Sequence, residues 1–374
     1  MLTEGIEKLK ILSVFGTRPE AVKMAPLVKL LAQTAGVESR VCVTAQHRQM
    51  LDQVLGLFEI KPDYDLDLMR DDQSLAQLSA NIFLHLDPVL AGFKPDWVLA
   101  QGDTTTVAIT SLLAYYHRIK FGHVEAGLRT YDKWQPFPEE INRRIAGVTS
   151  DLNFAPTEWS KQNLLREGVD KNIIIVTGNT VIDALQFVSK QQEPLEITGL
   201  LTKLDSNTKR LILVTAHRRE NFGKPMEDIC NALIGIANRG DVEIVYPVHL
   251  NPNVQQPVNR ILKDVPNITL LPPLDYLPLV HLMKHASLIL TDSGGIQEEA
   301  PAFGIPTLVL RDVTERPEGV EAGTLKLVGT ETSRIVQEAK RLLDDESAYA
   351  AMARAANPYG DGHAAEKIIQ ALLL

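Results

Sequence analysis

Cysteine is almost missing from this chain. Cys42 and Cys230 are the only two in 374 residues, which excludes a disulfide framework and a multi-cysteine zinc site and fits a reducing compartment. Long apolar runs are missing as well. None approaches the ~20 residues of a membrane-spanning helix, and residues 1–10 are polar and too short for a signal sequence. The expectation is a cytoplasmic protein with no membrane partner. Positive charge is in deficit, at a net −9. That excludes a sequence-independent nucleic-acid surface, although a local cationic cluster can still hold an anion. The turn after the first apolar run has a single glycine, Gly16, and no G-x-G-x-x-G, which argues against a tightly held nicotinamide cofactor. No metal is expected. His281 and His285 stand one helical turn apart, but no acidic residue joins them in an H-E-x-x-H pattern, and a half-buried helix face explains them better.

What is present is alternation. A chain of this length with 45% hydrophobic residues makes two domains the natural prior. Apolar strand-like runs at 9–15, 41–44, 97–100, 121–124, 152–155 and 173–176 are interleaved with helical patterns, which predicts a parallel sheet covered on both faces. The polar segment 191–207 reads as a linker or loop. The pattern then restarts with runs at 211–214, 244–246 and 268–271, a run that opens at Ser287 and reads into Asp292, and one at 307–310. The expected division is an N-terminal Rossmann-like domain over 1–178 and a second over 179–359, with an amphipathic helix at 360–374 packing back on the first. Ligands of such sheets lie beyond the carboxyl ends of the strands, so two domains of this kind are expected to face each other across a central cleft.

The residues just after each apolar run carry the chemistry. In the first half these are Arg18 and Lys23, then Gln46, His47 and Arg48, then Gln101-Gly102-Asp103, then Glu125 to Arg129, then Glu139, Glu140 and Arg143 behind a loop with Trp134, Pro136 and Pro138. Asp103, Glu125 and Glu139 are three carboxylates without metal spacing, suited to acid–base work. In the second half, His217-Arg218-Arg219 gathers three potential cations. With Arg18 and Lys23 they suit a diphosphate that is bound and released. The competing reading is surface ion pairing with Glu220 and Glu20. Strand, turn, helix and strand follow one another from Ser287 to Leu310. Ser293 is the expected N-cap, and Gly294 and Gly295 let a ligand approach the backbone, so this turn is the expected diphosphate cradle. Glu298 and Glu299, one turn on, are placed to accept hydrogen bonds from a ribose.

Seven stretches then occur in order: 15–21 (FGTRPEA), 101–105 (QGDTT), 123–129 (HVEAGLR), 138–143 (PEEINR), 217–221 (HRREN), 292–299 (DSGGIQEE) and 314–318 (TERPE). Together, over nearly the whole chain, they closely resemble the non-hydrolysing UDP-N-acetylglucosamine 2-epimerases. The resemblance implies a GT-B-type fold of two Rossmann-like domains, no cofactor, a homodimer, and interconversion of UDP-N-acetylglucosamine and UDP-N-acetylmannosamine for bacterial cell-envelope polysaccharide. It implies that Ser293, Gly294, Gly295 and Glu299 hold the UDP, with Arg18 and Arg316 near its phosphates or uridine and Leu279 near the uracil. Lys23, Asp103, Glu125, Glu139 and His217 would surround the sugar and the leaving oxygen. A second UDP-N-acetylglucosamine would act as activator beside Gln46, His47, Arg48 and Gln49. The alternatives are an epimerase of a modified UDP-sugar such as a diacetamido uronic acid, a GT-B glycosyltransferase with the same donor, and a nucleotide-sugar sensor without turnover.

Overall fold

A computed structural model describes residues 8–45, 48–68, 70, 72–204 and 209–374. The chain forms two units. The first runs to Ala184 and takes back Tyr359–Leu374, and the second is Leu185–Pro358.

The first unit is built on a seven-stranded sheet. Its strands are β1 (Leu9–Phe15), β2 (Val37–Val43), β3 (Tyr64–Asp65), β4 (Trp97–Gln101), β5 (Lys120–Val124), β6 (Leu152–Ala155) and β7 (Ile174–Val176), in the order β3-β2-β1-β4-β5-β6-β7. Every pairing is parallel. Strands covered on both faces have no polar side to show, and β1 and β4 accordingly read as nearly continuous apolar runs that are buried throughout their centres. The second unit repeats the plan with β8 (Arg210–Thr215), β9 (Val242–Pro247), β10 (Ile268–Leu271), β11 (Leu288–Thr291), β12 (Thr307–Val309) and β13 (Leu325–Leu327), in the order β10-β9-β8-β11-β12-β13. Its core joins Ile212, Val214, Ile244, Tyr246, Leu288 and Leu290 from the sheet to Ile229, Leu233 and Ile236 of the helix Lys224–Ala237. Two parallel-sheet α/β units bear out the expected Rossmann-like, GT-B-type architecture.

In both sheets the strand order reverses once, between β1 and β4 and between β8 and β11. At such a switch point the loops leaving the two strands part in opposite directions and open a crevice. The loops concerned begin at Gly16 and Gly102 in the first unit and at Ala216 and Asp292 in the second.

One element corrects the sequence reading. Residues 195–203, read as part of a linker, form the helix Leu195–Lys203. Polar composition hid it, but Ile197 and Leu201 stand four apart and are buried, which is enough to pack it on the helix Tyr276–Lys284. The C-terminal helix Ala364–Leu372 belongs to the first unit and packs on the helix Arg18–Gln33. The amides of Ala364 and Ala365 donate to the carboxylate of Asp183, which thereby satisfies the start of that helix. Among the described residues no helix is long and apolar enough to cross a membrane.

Candidate functional site

In the first unit, the loop after β5 begins with Glu125, which is buried and holds a left-handed φ of 63°. A side chain other than glycine stays in that conformation only where its surroundings over-determine it. The surroundings are three donors. Lys23 Nζ donates to Oε1 at 2.5 Å, Asn179 Nδ2 donates to the same oxygen at 2.8 Å, and Gln101 Nε2 donates to Oε2. Lys23 therefore spends much of its charge inside the first unit.

Asp103 follows β4 through Gly102, whose φ is 86°. Its Oδ2 accepts from Arg143 Nη2 at 2.5 Å, and no described residue donates to Oδ1. Arg143 also faces Glu140 at 3.4 Å. Glu140 is fully buried and caps the amides of Thr130 and Tyr131 at 3.1 and 3.2 Å, which ties the 130s loop to the helix Glu139–Thr149. Glu139, the first residue of that helix, is half-buried. Arg18 is exposed at the start of the helix Arg18–Gln33, with no ion-pair partner among the described residues.

His123 supports the loop from below. Its Nε2 lies 2.7 Å from the Gly102 carbonyl oxygen, so that nitrogen carries the proton, while Nδ1 is buried without a partner among the described residues. Burial pushes the imidazole down to about 4. The Gly102 carbonyl opposes that shift, and Arg129 and Arg143 add to it. An unfolded histidine titrates near 6.5. The unfolded chain thus takes up this proton first as pH falls, so stability is lost between about pH 6.5 and 4 and levels off below, by on the order of 3 kcal/mol in full. Urea midpoints should fall more steeply over that window for the wild type than for His123→Gln. Parallel profiles would remove His123 as the cause.

In the second unit, Asp292 organises the crevice. It is fully buried, and its Oδ2 accepts from the amides of His217 and Arg218 at 2.8 Å each and from Asn221 Nδ2 at 2.9 Å. The loop after β8 is thus pinned to the end of β11. Asp292 Oδ1 lies 3.4 Å from His217 Nδ1, and the His217 ring stacks on that of His249, centroids 5.3 Å apart and planes within 10°. Ser293 precedes the helix Gly294–Glu299 as its N-cap, and its hydroxyl makes no capping bond. The guanidinium groups of Arg218 and Arg316 both come close to Gly294: a Cβ built there would stand 3.6 Å from Arg218 Nη2 and 3.7 Å from Arg316 Nη2. A Cβ on Gly295 would meet nothing nearer than the Ser293 hydroxyl at 3.9 Å. Arg316 is aimed by Glu298, whose Oε1 accepts from its Nε at 2.5 Å. Glu299 Oε1 accepts from the hydroxyl of Tyr276 at 2.8 Å, and Leu279, on the same helix as Tyr276, is half-buried. Two cations, a helix start and a bare backbone converge at Gly294, which is the chemistry of an anion site.

The structure brings together Lys23 with Glu125, and Gly294 with Arg316. It also alters the expected pairings. The competing reading, surface pairing of the His217–Arg219, Arg18 and Lys23 cations with Glu20 and Glu220, gives way to other partners for both carboxylates. Glu220 accepts from Arg311 at 2.5 Å, and Glu20 accepts from backbone amides and a hydroxyl in its own unit. His281 and His285 both face Glu193, at 3.8 and 2.6 Å. Of the expected activator residues, Arg48 starts the helix Arg48–Leu57 and pairs with Asp65 at 2.5 Å and Asp52 at 3.2 Å. Gln46 and His47 lie outside the described residues, as does the side chain of Gln49. Sequence reasoning missed Gln101, Asn179, Asn221 and Asp292 as organisers, and Tyr276 and His249 as neighbours of the site. Asp292 had a signal: it is an acidic residue directly at the end of an apolar strand, where a buried carboxylate must be hydrogen-bonded.

Comparison with known proteins gives a consistent answer. The family described as UDP-N-acetylglucosamine 2-epimerase matches residues 29–373. A protein of that name from Yersinia pestis is 60% identical over 370 residues, covering 97% of this chain and 98% of that protein. Its counterpart from Escherichia coli K12 is 58% identical over 371 residues, with the same shares covered. The crystal structure of the UDP-GlcNAc 2-epimerase from Neisseria meningitidis bound to UDP-GlcNAc is 50% identical, with a TM-score of 0.87 over 97% of this chain and 99% of that one.

Proposed function

The chain belongs to the UDP-N-acetylglucosamine 2-epimerase family, and from that premise we propose that it is an isomerase interconverting UDP-N-acetylglucosamine and UDP-N-acetylmannosamine by elimination and re-addition of UDP. The C2 proton of the sugar is not next to a carbonyl, so deprotonation alone is too costly. Concerted help comes from the neighbouring bond. A base takes the C2 proton as the C1–oxygen bond breaks, UDP leaves with that electron pair, and a 2-acetamidoglucal remains. Return of a proton to the other face of C2 and of the UDP oxygen to C1 gives the epimer.

The observation that carries this reading is the cationic bracket of Arg218 and Arg316 around Gly294, beside a histidine held by Asp292. In this proposal Ser293, Gly294 and Gly295 hold the diphosphate, Arg18 and His217 add charge to it, Glu299 takes the ribose, and Leu279 lies by the uracil. Asp103 is the C2 base, because one of its carboxylate oxygens receives no bond from a described residue. Glu125, with donors on both oxygens, is the poorer acceptor and holds Lys23 on the sugar side. Inversion needs a second acid–base group for the opposite face, the role proposed for Glu139. Incubation with UDP-N-acetylglucosamine alone, followed by proton NMR, should yield UDP-N-acetylmannosamine. Free N-acetylmannosamine would make the enzyme a hydrolase, and turnover only with an acceptor would make it a glycosyltransferase.

Gly294→Val should weaken UDP binding by at least tenfold and leave the fold intact. The new Cβ meets the two arginines at ordinary contact distance, but the branched side chain blocks close approach of a phosphate to the backbone. Unchanged UDP affinity in calorimetry would remove this turn from the site. The proposed activator, a second UDP-N-acetylglucosamine bound by Gln46, Arg48 and Gln49, should make initial rates sigmoidal in that sugar and the reverse reaction dependent on some of it. Hyperbolic rates in both directions would eliminate it.

A further inference from the structure

We infer that Glu20 is a positioning residue for the reaction: its carboxylate locks the turn after β1 to the turn after β4 and so sets where Asp103 stands. The inference rests on the epimerase reading and on the role it gives Asp103. Glu20 is buried. Its Oε2 accepts from the amides of Gly16 and Thr17 at 2.8 and 2.7 Å, and its Oε1 accepts from the hydroxyl of Thr104 at 2.5 Å. Thr104 is the residue after Asp103 and the N-cap of the helix Thr105–His117. One carboxylate therefore spans the two strands at which the sheet order reverses.

A second contact brings in the residue after β2 and packs the turn after β1 against it. The Thr44 and Thr106 hydroxyls are 3.1 Å apart, and Gly16 packs so tightly on them that a Cβ there would stand 1.9 Å from Thr44 Oγ1 and 3.1 Å from Thr106 Oγ1. Gly16 is thus a glycine for closeness, and the closeness fixes the start of the helix behind Asp103. On its other side Asp103 is held by Arg143. An aspartate gripped from both sides can act as a base with little reorganisation.

The amides of Gly16 and Thr17, which lead into the helix Arg18–Gln33, are taken by this carboxylate. Burial raises the Glu20 pKa, with the Thr104 hydroxyl and the two amides opposing.

The test is a double-mutant cycle on kcat. In Glu20→Gln the amide oxygen still caps Gly16 and Thr17, but the Thr104 hydroxyl loses its carboxylate acceptor and must turn to accept from the NH₂ group instead. Displacement of Asp103 by a fraction of an ångström to 1 Å should lower kcat by on the order of 10²-fold, with UDP affinity and KM changed by no more than about twofold. In an Asp103→Asn background the same change should cost nothing further, because it acts only through Asp103. Thr104→Ser, which keeps the hydroxyl, should retain activity, and Thr104→Ala should reproduce the loss from the other end of the bond. If Glu20→Gln fails to fold, the Thr104 pair carries the same test. An unchanged kcat in Glu20→Gln or Thr104→Ala, or a loss that adds in full to that of Asp103→Asn, overturns the inference. A wild type inert toward UDP-N-acetylglucosamine would instead sink the epimerase reading and this inference with it.

Discussion

Asp103→Asn should lower turnover by about 10²–10⁴-fold, the usual contribution of a positioned acid or base, with much less effect on UDP binding. Asparagine keeps the shape and a hydrogen-bond acceptor for Arg143 Nη2, which lies 2.5 Å from the native carboxylate. It cannot take a proton from C2. The split between rate and affinity follows from where the two proposed functions lie in the chain: the proposed diphosphate bracket draws on Gly294, Arg218 and Arg316 of the second unit, which the substitution does not touch. Steady-state kinetics with UDP calorimetry on the same preparation would decide it. Turnover within threefold of wild type would exclude Asp103 as the base. Equal losses in UDP affinity and rate would make it a binding residue.

Glu125→Leu should destabilise the first unit by roughly 3–5 kcal/mol, the range for removing one partner of a buried ion pair. The Lys23 and Glu125 side chains are only 14% and 5% exposed, so solvent screens the pair little. Leucine would take the Glu125 carboxylate away from the Lys23 ammonium and from the Gln101 and Asn179 amides. Adding Lys23→Met should recover a substantial part of the loss, because the ammonium that lost its carboxylate goes, yet not all of it, because the Gln101 and Asn179 amides still lack the bonds they gave to Glu125. Urea denaturation of the single and double variants measures this. A single variant as stable as wild type, or a double variant no better than the single, would show that the pair does not hold the loop after β5. The left-handed backbone of Glu125 would then lack its explanation.

Much of the fold was legible because apolar runs bounded by turn residues are a strong signal. The bounds of β1, β6 and β10 were read correctly, and most other strands to within a residue or two. The two-residue β3 and the three-residue β13 were not read. Their side chains are largely half-exposed, so they lack the continuous apolar character of a central strand. The helix Leu195–Lys203 was hidden for a related reason, since a helix with only one buried stripe can carry enough polar residues to resemble a linker. At the site, residue types were legible and partnerships were not. Sequence places Glu20 next to Arg18 and Glu220 next to Arg219, which invites surface pairing. Only the fold brings the Gly16 and Thr17 amides and the Thr104 hydroxyl around Glu20, and Arg311 to Glu220. Asp292 shows the same limit. It stood inside a quoted motif, but its work is done on His217, Arg218 and Asn221, more than seventy positions earlier in the chain.

The most direct test of the account is epimerisation in D₂O. The enzyme is incubated with UDP-N-acetylglucosamine, and C2 is followed by NMR and mass spectrometry. Elimination places the C2 proton on an enzyme carboxyl group that exchanges with solvent before UDP returns. UDP-N-acetylmannosamine should therefore carry deuterium at C2 from the first turnover, and slow variants at Asp103 or Glu139 should release UDP with the free 2-acetamidoglucal. Product formed with its C2 hydrogen fully retained, and no glycal from any variant, would contradict elimination and require a transient oxidation instead.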